Sequence, residues 1–176
     1  MATQIALLRG INVGGHTVAM ERLRSLVGEL GVDKVETFIA SGNVIFDAGR
    51  RRRPALETAI EEKLEAELGY AVATFVRTPA ALAALVDADP DAADGGSRYA
   101  VFLKEPPDAA GRKALAALES DRDRLHVMDD HILWWTAGGM MDSGIQGDAL
   151  GKALGGVPTT TRNVNTVRKL ALKYGG

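Results

Sequence analysis

The run VETFIASGNVIF, residues 35–46, sets two β-rich stretches, VETFIA and VIF, on either side of a Ser41-Gly42-Asn43 turn. Two such stretches joined by a Gly-Asn turn read as a β-hairpin. Just upstream, Met20, Leu23, Leu26, Val27 and Leu30 recur at intervals of three and four. Those spacings put them on one face of a helix, and Gly31 stands where that helix would end. Just downstream, Leu56, Ile60, Leu64 and Leu68 recur at every fourth position of residues 54–68. Pro54 suits the first turn of that second helix, and Gly69 follows its last. Outside the two helices lie QIALLR (residues 4–9) and YAVATFVR (residues 70–77), short apolar runs that read as strands. Outward from the hairpin, the order is β-α-β-β-α-β, the ferredoxin-like arrangement.

The second half follows a related plan. Thr78-Pro79 opens a short helix through Val86, and the acidic, Gly-rich DADPDAADGG (residues 87–96) reads as a linker. A strand (residues 99–104), a helix (108–118), a strand (124–128), an Asp129-Asp130 turn and a strand (132–136) come next. A shorter helix (147–154) precedes a C-terminal segment that ends in a helix. The expected fold class is therefore α+β, with a ferredoxin-like subdomain over residues 1–78. A β-α-β-β-α unit with a C-terminal helix is expected over residues 79–176.

Composition agrees with two small packed units. The 176 residues are 46% apolar and 25% charged, which excludes a disordered or collagen-like chain. There is no cysteine, so thiol catalysis and thiolate metal sites are excluded. A net charge of -2 argues against a wholly electrostatic binder of nucleic acid or membrane. Near the start only residues 5–8 form an apolar run, too short for a signal-peptide core, and no later run approaches a membrane span. A cytoplasmic protein is expected, with no membrane partner.

In a ferredoxin-like unit the first strand runs up, its helix returns, and the second strand runs up again. The loop after strand one and the hairpin turn then share one end of the sheet. Here those connections are RGINVGGHT (residues 9–17) and SGN (residues 41–43), the most polar, Gly-rich stretches of the first unit. One sheet end should therefore gather Arg9, Asn12, His16, Ser41 and Asn43 around the backbone of Gly14 and Gly15. Loops held by a rigid scaffold are where binding sites tend to sit.

Three stretches, LLRGINVGG (residues 7–15), SGNVIF (41–46) and TTTRNVNTVRKL (159–170), together resemble the bacterial DUF1697 family, named for its lack of known function. The resemblance spans residues 5–170. It implies two unlike α+β subdomains, the first ferredoxin-like, and brings no established activity. By position it marks Arg9, Gly10, Asn12, Gly14 and Gly15; Ser41, Gly42 and Asn43; and Thr161, Arg162, Asn163 and Thr166. Two positions depart from the family's habit: His16 stands where a lysine is common, and Val164 where an aromatic residue is common.

Several patterns invite chemistry. GINVGGHT, residues 10–17, has the spacing of the phosphate-binding G-x-x-x-x-G-K-[ST] loop, with His16 in place of the lysine. Backbone N–H groups in such a loop, reinforced by a helix N-terminus, would hold an anion. Arg9 could clamp phosphate or carboxylate through its guanidinium, or tie loop carbonyls together. The C-terminal residues 149–176 carry Lys152, Arg162, Arg168, Lys169 and Lys173 and no acid, in a chain whose total is negative. Asn163 would cap the last helix, and cations toward its C-terminal half complement the macrodipole. Arg162 lies outside that account and is the residue of this segment most suited to binding.

Other patterns read more simply. Arg50 to Arg53 form a solvated loop. His126, Asp129, Asp130 and His131 lie close in sequence, but on a hairpin His126 faces Leu133 and His131 faces Met128, so the imidazoles sit diagonally and no metal site is expected. Trp134 and Trp135 point to opposite faces of their strand, one into a core and the other toward the boundary between the two units. Glu57, Glu61, Glu62, Glu65 and Glu67 read as the solvent side of an amphipathic helix.

No cofactor fingerprint or nucleophile–base pair is present, and a binding module is favoured over an enzyme. It would take an anionic small molecule or phosphate-bearing partner at Arg9, Asn12, Gly14, Gly15, His16, Ser41 and Asn43, with Arg162 and Asn163 joining if the C-terminal segment folds back. The alternatives are a hydrolase or transferase with His16 as general base, RNA binding through the basic segment and one Trp, or motifs that serve folding alone.

Overall fold

A computed structural model describes residues 2–39 and 42–176. It is an α+β structure with two four-stranded antiparallel sheets. The chain divides into two compact units, Met1–Ala84 with Leu170–Gly176, and Leu85–Lys169.

The first unit runs β1 (Thr3–Leu8), α1 (Met20–Gly28), β2 (Asp33–Thr37), β3 (Asn43–Asp47), α2 (Arg53–Leu68) and β4 (Thr74–Arg77), followed by α3 (Pro79–Asp87), which crosses the division. Its sheet order is β2-β3-β1-β4, the ferredoxin-like order. Period-two alternation sends Ala6, Leu8, Val44, Phe46 and Val76 to one face, where Leu23, Leu26 and Val27 of α1 and Leu56, Ile60 and Leu64 of α2 cover them. Each such aliphatic side chain contributes about 1.5–3 kcal/mol on burial. Gly69 ends α2 in the left-handed conformation, as expected of a glycine past the last turn.

Strand β4 is an edge, and α2 protects it. The Thr74 N–H donates to Glu61 Oε1 at 2.9 Å and the Val76 N–H to Glu57 Oε1 at 2.8 Å. Residues four apart on a helix and two apart on a strand have similar rises, so two carboxylates match two outward N–H groups. This corrects the amphipathic reading: Glu62, Glu65 and Glu67 are exposed, but Glu57 is buried and Glu61 half-buried.

The second unit runs β5 (Ser97–Phe102), α4 (Ala109–Ala116), β6 (Asp123–Val127), β7 (His131–Thr136), α5 (Ala149–Ala153) and β8 (Thr160–Asn163), with α6 (Val164–Tyr174) following. Its order, β6-β7-β5-β8, reproduces the first unit's pattern strand for strand. The expected β-α-β-β-α unit thus gains a fourth strand, because TTRN pairs antiparallel with β5, Tyr99 opposite Asn163 and Phe102 opposite Thr160. Asp108 caps α4 by accepting the Gly111 N–H at 2.7 Å. Val101, Leu125, Ile132 and Trp134 form the core of this unit.

The acidic stretch read as a linker is bound instead. Asp89 and Asp91 are buried; Asp89 pairs with Arg98 at 3.1 Å, and Asp91 with Arg124 at 2.9 Å and His126 at 2.8 Å. The chain stays on the sheet because each carboxylate meets a cation presented by β5 or β6. Among the described residues no helix is long and apolar enough to cross a membrane.

Candidate functional site

Three connections meet at one end of the first sheet. The Leu8 N–H donates to the Gly42 carbonyl at 2.8 Å and the Arg9 N–H to the Ala73 carbonyl at 2.9 Å, so the end of β1 is tied to the β2–β3 turn and to the α2–β4 connection. Gly42 has φ +76°, and a Cβ there would lie 3.1 Å from the Ile11 Cβ and 3.2 Å from the Leu8 Cβ. Only glycine fits that position.

Residues 12–17 form a miniature hairpin. The Asn12 N–H donates to the His16 carbonyl at 2.8 Å and the His16 N–H to the Val13 carbonyl at 3.1 Å. Gly14 and Gly15, with φ +58° and +86°, supply the two positive angles of a type I′ turn. Asn12 itself has φ +58°, and its Oδ1 accepts the Val18 N–H at 2.8 Å, latching the loop to the chain that enters α1. This corrects the phosphate-loop reading. Helix α1 begins only at Met20, without a side-chain cap at Ala19, so Gly15 to Thr17 do not sit on a helix N-terminus. The N–H groups of Asn12, His16, Thr17 and Val18 are spent inside the loop. A Gly-Gly pair is a hairpin-turn signal, and the spacing match arises from that.

The expected site residues fall into distinct roles. Arg9, Gly14, Gly15 and His16 are exposed, and among the described residues neither glycine has an atom within 4 Å of where a Cβ would stand. Asn43 is fully buried and its Nδ2 donates to the Phe38 carbonyl at 3.0 Å, closing the β2–β3 turn. Asn12 and Asn43 therefore hold backbone, and Ser41 lies outside the described residues. Tyr70, absent from the sequence reading, stacks on His16 with ring centroids 3.9 Å apart and planes 14° from parallel. The topology that gathers the first two loops also brings the α2–β4 connection to this end, so an aromatic residue just after Gly69 was a usable signal. Val13 and Ile39, 58% and 54% exposed, add apolar surface to the same two loops. Ile39 holds φ +50°, uncommon for a β-branched residue.

Arg162 and Asn163 belong to the second unit, on β8. Arg162 is buried, and its guanidinium donates to Thr160 Oγ1 at 2.8 Å and the Thr161 carbonyl at 3.0 Å. Burial lowers its pKa to about 10, still well above neutrality, so it is a buried cation. Asn163 is exposed, and its Oδ1 accepts the Asn165 N–H at 2.8 Å, the expected cap of α6. Arg168 bonds Asn165 at 2.8 Å, and the Lys173 ammonium lies 5.5 Å over the Phe38 ring.

On the hairpin of the second unit, His126 pairs with Leu133 and the Met128 N–H reaches the His131 carbonyl, the diagonal register read from the sequence. Trp134 is the core residue of the tryptophan pair. Trp135, on the other face, donates from Nε1 to the Gly95 carbonyl at 2.6 Å and carries the Arg124 guanidinium 3.9 Å over its ring. A cleft of about 410 Å³ lies between the β5–α4 and α5–β8 connections, walled by Leu103, Pro106, Pro107, Leu154 and Val157. None of the expected site residues lines it.

The family described as "Protein of unknown function (DUF1697)" matches residues 1–133. No curated protein matches the chain. Among solved structures, the conserved bacterial protein SP0830 from Streptococcus pneumoniae is similar with a TM-score of 0.75 at 23% identity, over 100% of this chain and 99% of that one. That likeness is one of fold.

Proposed function

We propose that this chain, which belongs to the DUF1697 family of proteins of unknown function, is a cytoplasmic binding module rather than an enzyme. Its ligand is an anionic small molecule or a phosphate-bearing partner, taken at the Gly-rich loop end of the first sheet. The observation that carries this reading is the display there of the exposed Arg9 and His16 beside an open Gly14-Gly15 tip, on a sheet end tied by the Leu8–Gly42 and Arg9–Ala73 hydrogen bonds. A guanidinium on a rigid strand end binds an oxyanion at small ordering cost. Asn12 and Asn43 support the site by shaping its loops.

Thermal unfolding at low salt with phosphate, mononucleotides and small dicarboxylates tests this. A ligand at one hundred times its Kd adds about 2.7 kcal/mol and raises Tm by several degrees. The shift should disappear in Arg9→Ala. No shift with any anion, in a folded protein, would retire the reading.

A further inference from the structure

The exposed Arg9 accounts for charge but not for the rest of this sheet end. The His16 ring lies flat on Tyr70, 3.9 Å between centroids and 14° between planes, while His16 itself remains exposed. Tyr70 packs against the first core, and its hydroxyl is buried without a hydrogen-bond partner among the described residues, so the ring is held by packing. The imidazole is thus backed by a fixed aromatic plate. It sits at the base of a hairpin tip where, among the described residues, no atom comes within 4 Å of the Gly14 and Gly15 Cβ positions. Val13 and Ile39 expose further apolar surface on the loops of this end. Arg9 and His16 flank one short connection, since the Arg9 N–H bonds Ala73 and the His16 ring stacks on Tyr70.

A small hydrated anion would use the guanidinium and leave the ring and the apolar residues bare. A planar, π-bearing group uses them, because a pre-set aromatic face is a stacking platform that any base can occupy. Resting on the anion-binding reading above, we infer that the ligand is an anion that carries a planar ring, of the class of a nucleoside monophosphate. Its phosphate is taken by Arg9 and its base is stacked on the outer face of His16. His16 acts by its flat surface and not by proton transfer, which is why a phenylalanine should replace it.

The experiment compares adenosine 5′-monophosphate with ribose 5-phosphate by isothermal titration at low salt, using the intact protein, His16→Ala, His16→Phe and Arg9→Ala. Far-ultraviolet circular dichroism checks that each variant is folded. The expected result is at least tenfold tighter binding of the nucleotide than of ribose 5-phosphate. That preference should vanish in His16→Ala, return in His16→Phe, and both ligands should weaken together in Arg9→Ala. Equal affinity for the two ligands in the intact protein would overturn the ring inference and leave the anion reading standing. A preference that survives in His16→Ala would also overturn it. Binding of neither ligand would overturn this inference, and the anion reading falls only if the wider set of anions fails as well.

Discussion

Glu57 Oε1 accepts the Val76 N–H at 2.8 Å, so a carboxylate from the second turn of α2 closes the outer edge of β4. The same oxygen takes Arg53 Nε at 3.1 Å and lies 3.6 Å from the Arg77 guanidinium. One side chain thereby satisfies a strand edge and meets two cations. Glu119 does the like at the opposite edge of the second sheet, where its Oε1 accepts the Leu125 N–H at 2.9 Å.

Glu57→Ala should cost about 1–3 kcal/mol of stability, because it leaves a buried N–H unsatisfied. Glu57→Gln should cost less, since an amide oxygen can still accept that N–H. Urea unfolding of the two variants measures the difference. The alanine variant should also aggregate more readily on partial unfolding, as an opened strand edge invites pairing. Equal stability of both variants with the parent would refute the role.

Gly42 and Gly14 separate two demands made on glycine. Both have positive φ, but only Gly42 has neighbouring Cβ atoms at 3.1 and 3.2 Å. Gly14→Ala should cost about 1–2 kcal/mol from the left-handed backbone. Gly42→Ala should cost about 2–4 kcal/mol, with overpacking added to the same strain. Chemical denaturation of the pair decides it, and a Gly14 variant that is the less stable of the two would count against the argument.

Asp123 should make the second unit sensitive to acid. Burial raises its pKa, but hydrogen bonds from Ser143 Oγ at 2.6 Å, Trp134 Nε1 at 3.0 Å and the Gly144 N–H at 3.0 Å outweigh that and hold the carboxyl below its usual value. A depressed folded-state pKa stabilises above the unfolded value of about 3.9 and is lost as pH falls through the folded value. The stability gap between the parent and Asp123→Asn should therefore be widest near neutrality and narrow below about pH 4. Unfolding followed by tryptophan emission at several pH values reads this, and a gap independent of pH would reject it.

Asp91→Asn should loosen the acidic stretch of residues 87–96 without unfolding the sheet. It removes the charge that meets Arg124 at 2.9 Å and His126 at 2.8 Å. Arg124 and His126 are partly exposed and can regain water, so a loss of about 1–3 kcal/mol is expected. Backbone amides of residues 88–95 should exchange faster with solvent while those of β5 and β7 keep their protection. Unchanged exchange in the stretch would show that its ion pairs hold nothing.

The elements legible in the sequence were those whose cause is local. Leu56, Ile60 and Leu64 face the core wherever α2 goes, because their spacing follows the helix period. The turn at Gly42 and Asn43 was readable for the same reason, and so was the Asn163 cap. β8 escaped because Thr160 to Asn163 gain strand character only from β5, some sixty residues earlier in the chain. At the candidate site, Arg9 and His16 were placed by topology, whereas the roles of Asn12 and Asn43 as backbone holders depend on which N–H and C=O groups the folded loops leave unpaired.

By itself, then, the sequence determined the order of helices and strands apart from β8, the apolar faces of α1 and α2, and the sheet end where the polar loops of the first unit meet. Periodicity and turn chemistry act over a few residues and need no partner. Tertiary structure alone decided that Glu57 and Glu61 seal a strand edge, that acidic residues 89–94 bind a sheet, that Arg162 is buried, and that His16 lies on Tyr70. Each of these depends on a polar or aromatic group meeting a specific group far away in sequence, and the pairing exists only once the chain has closed.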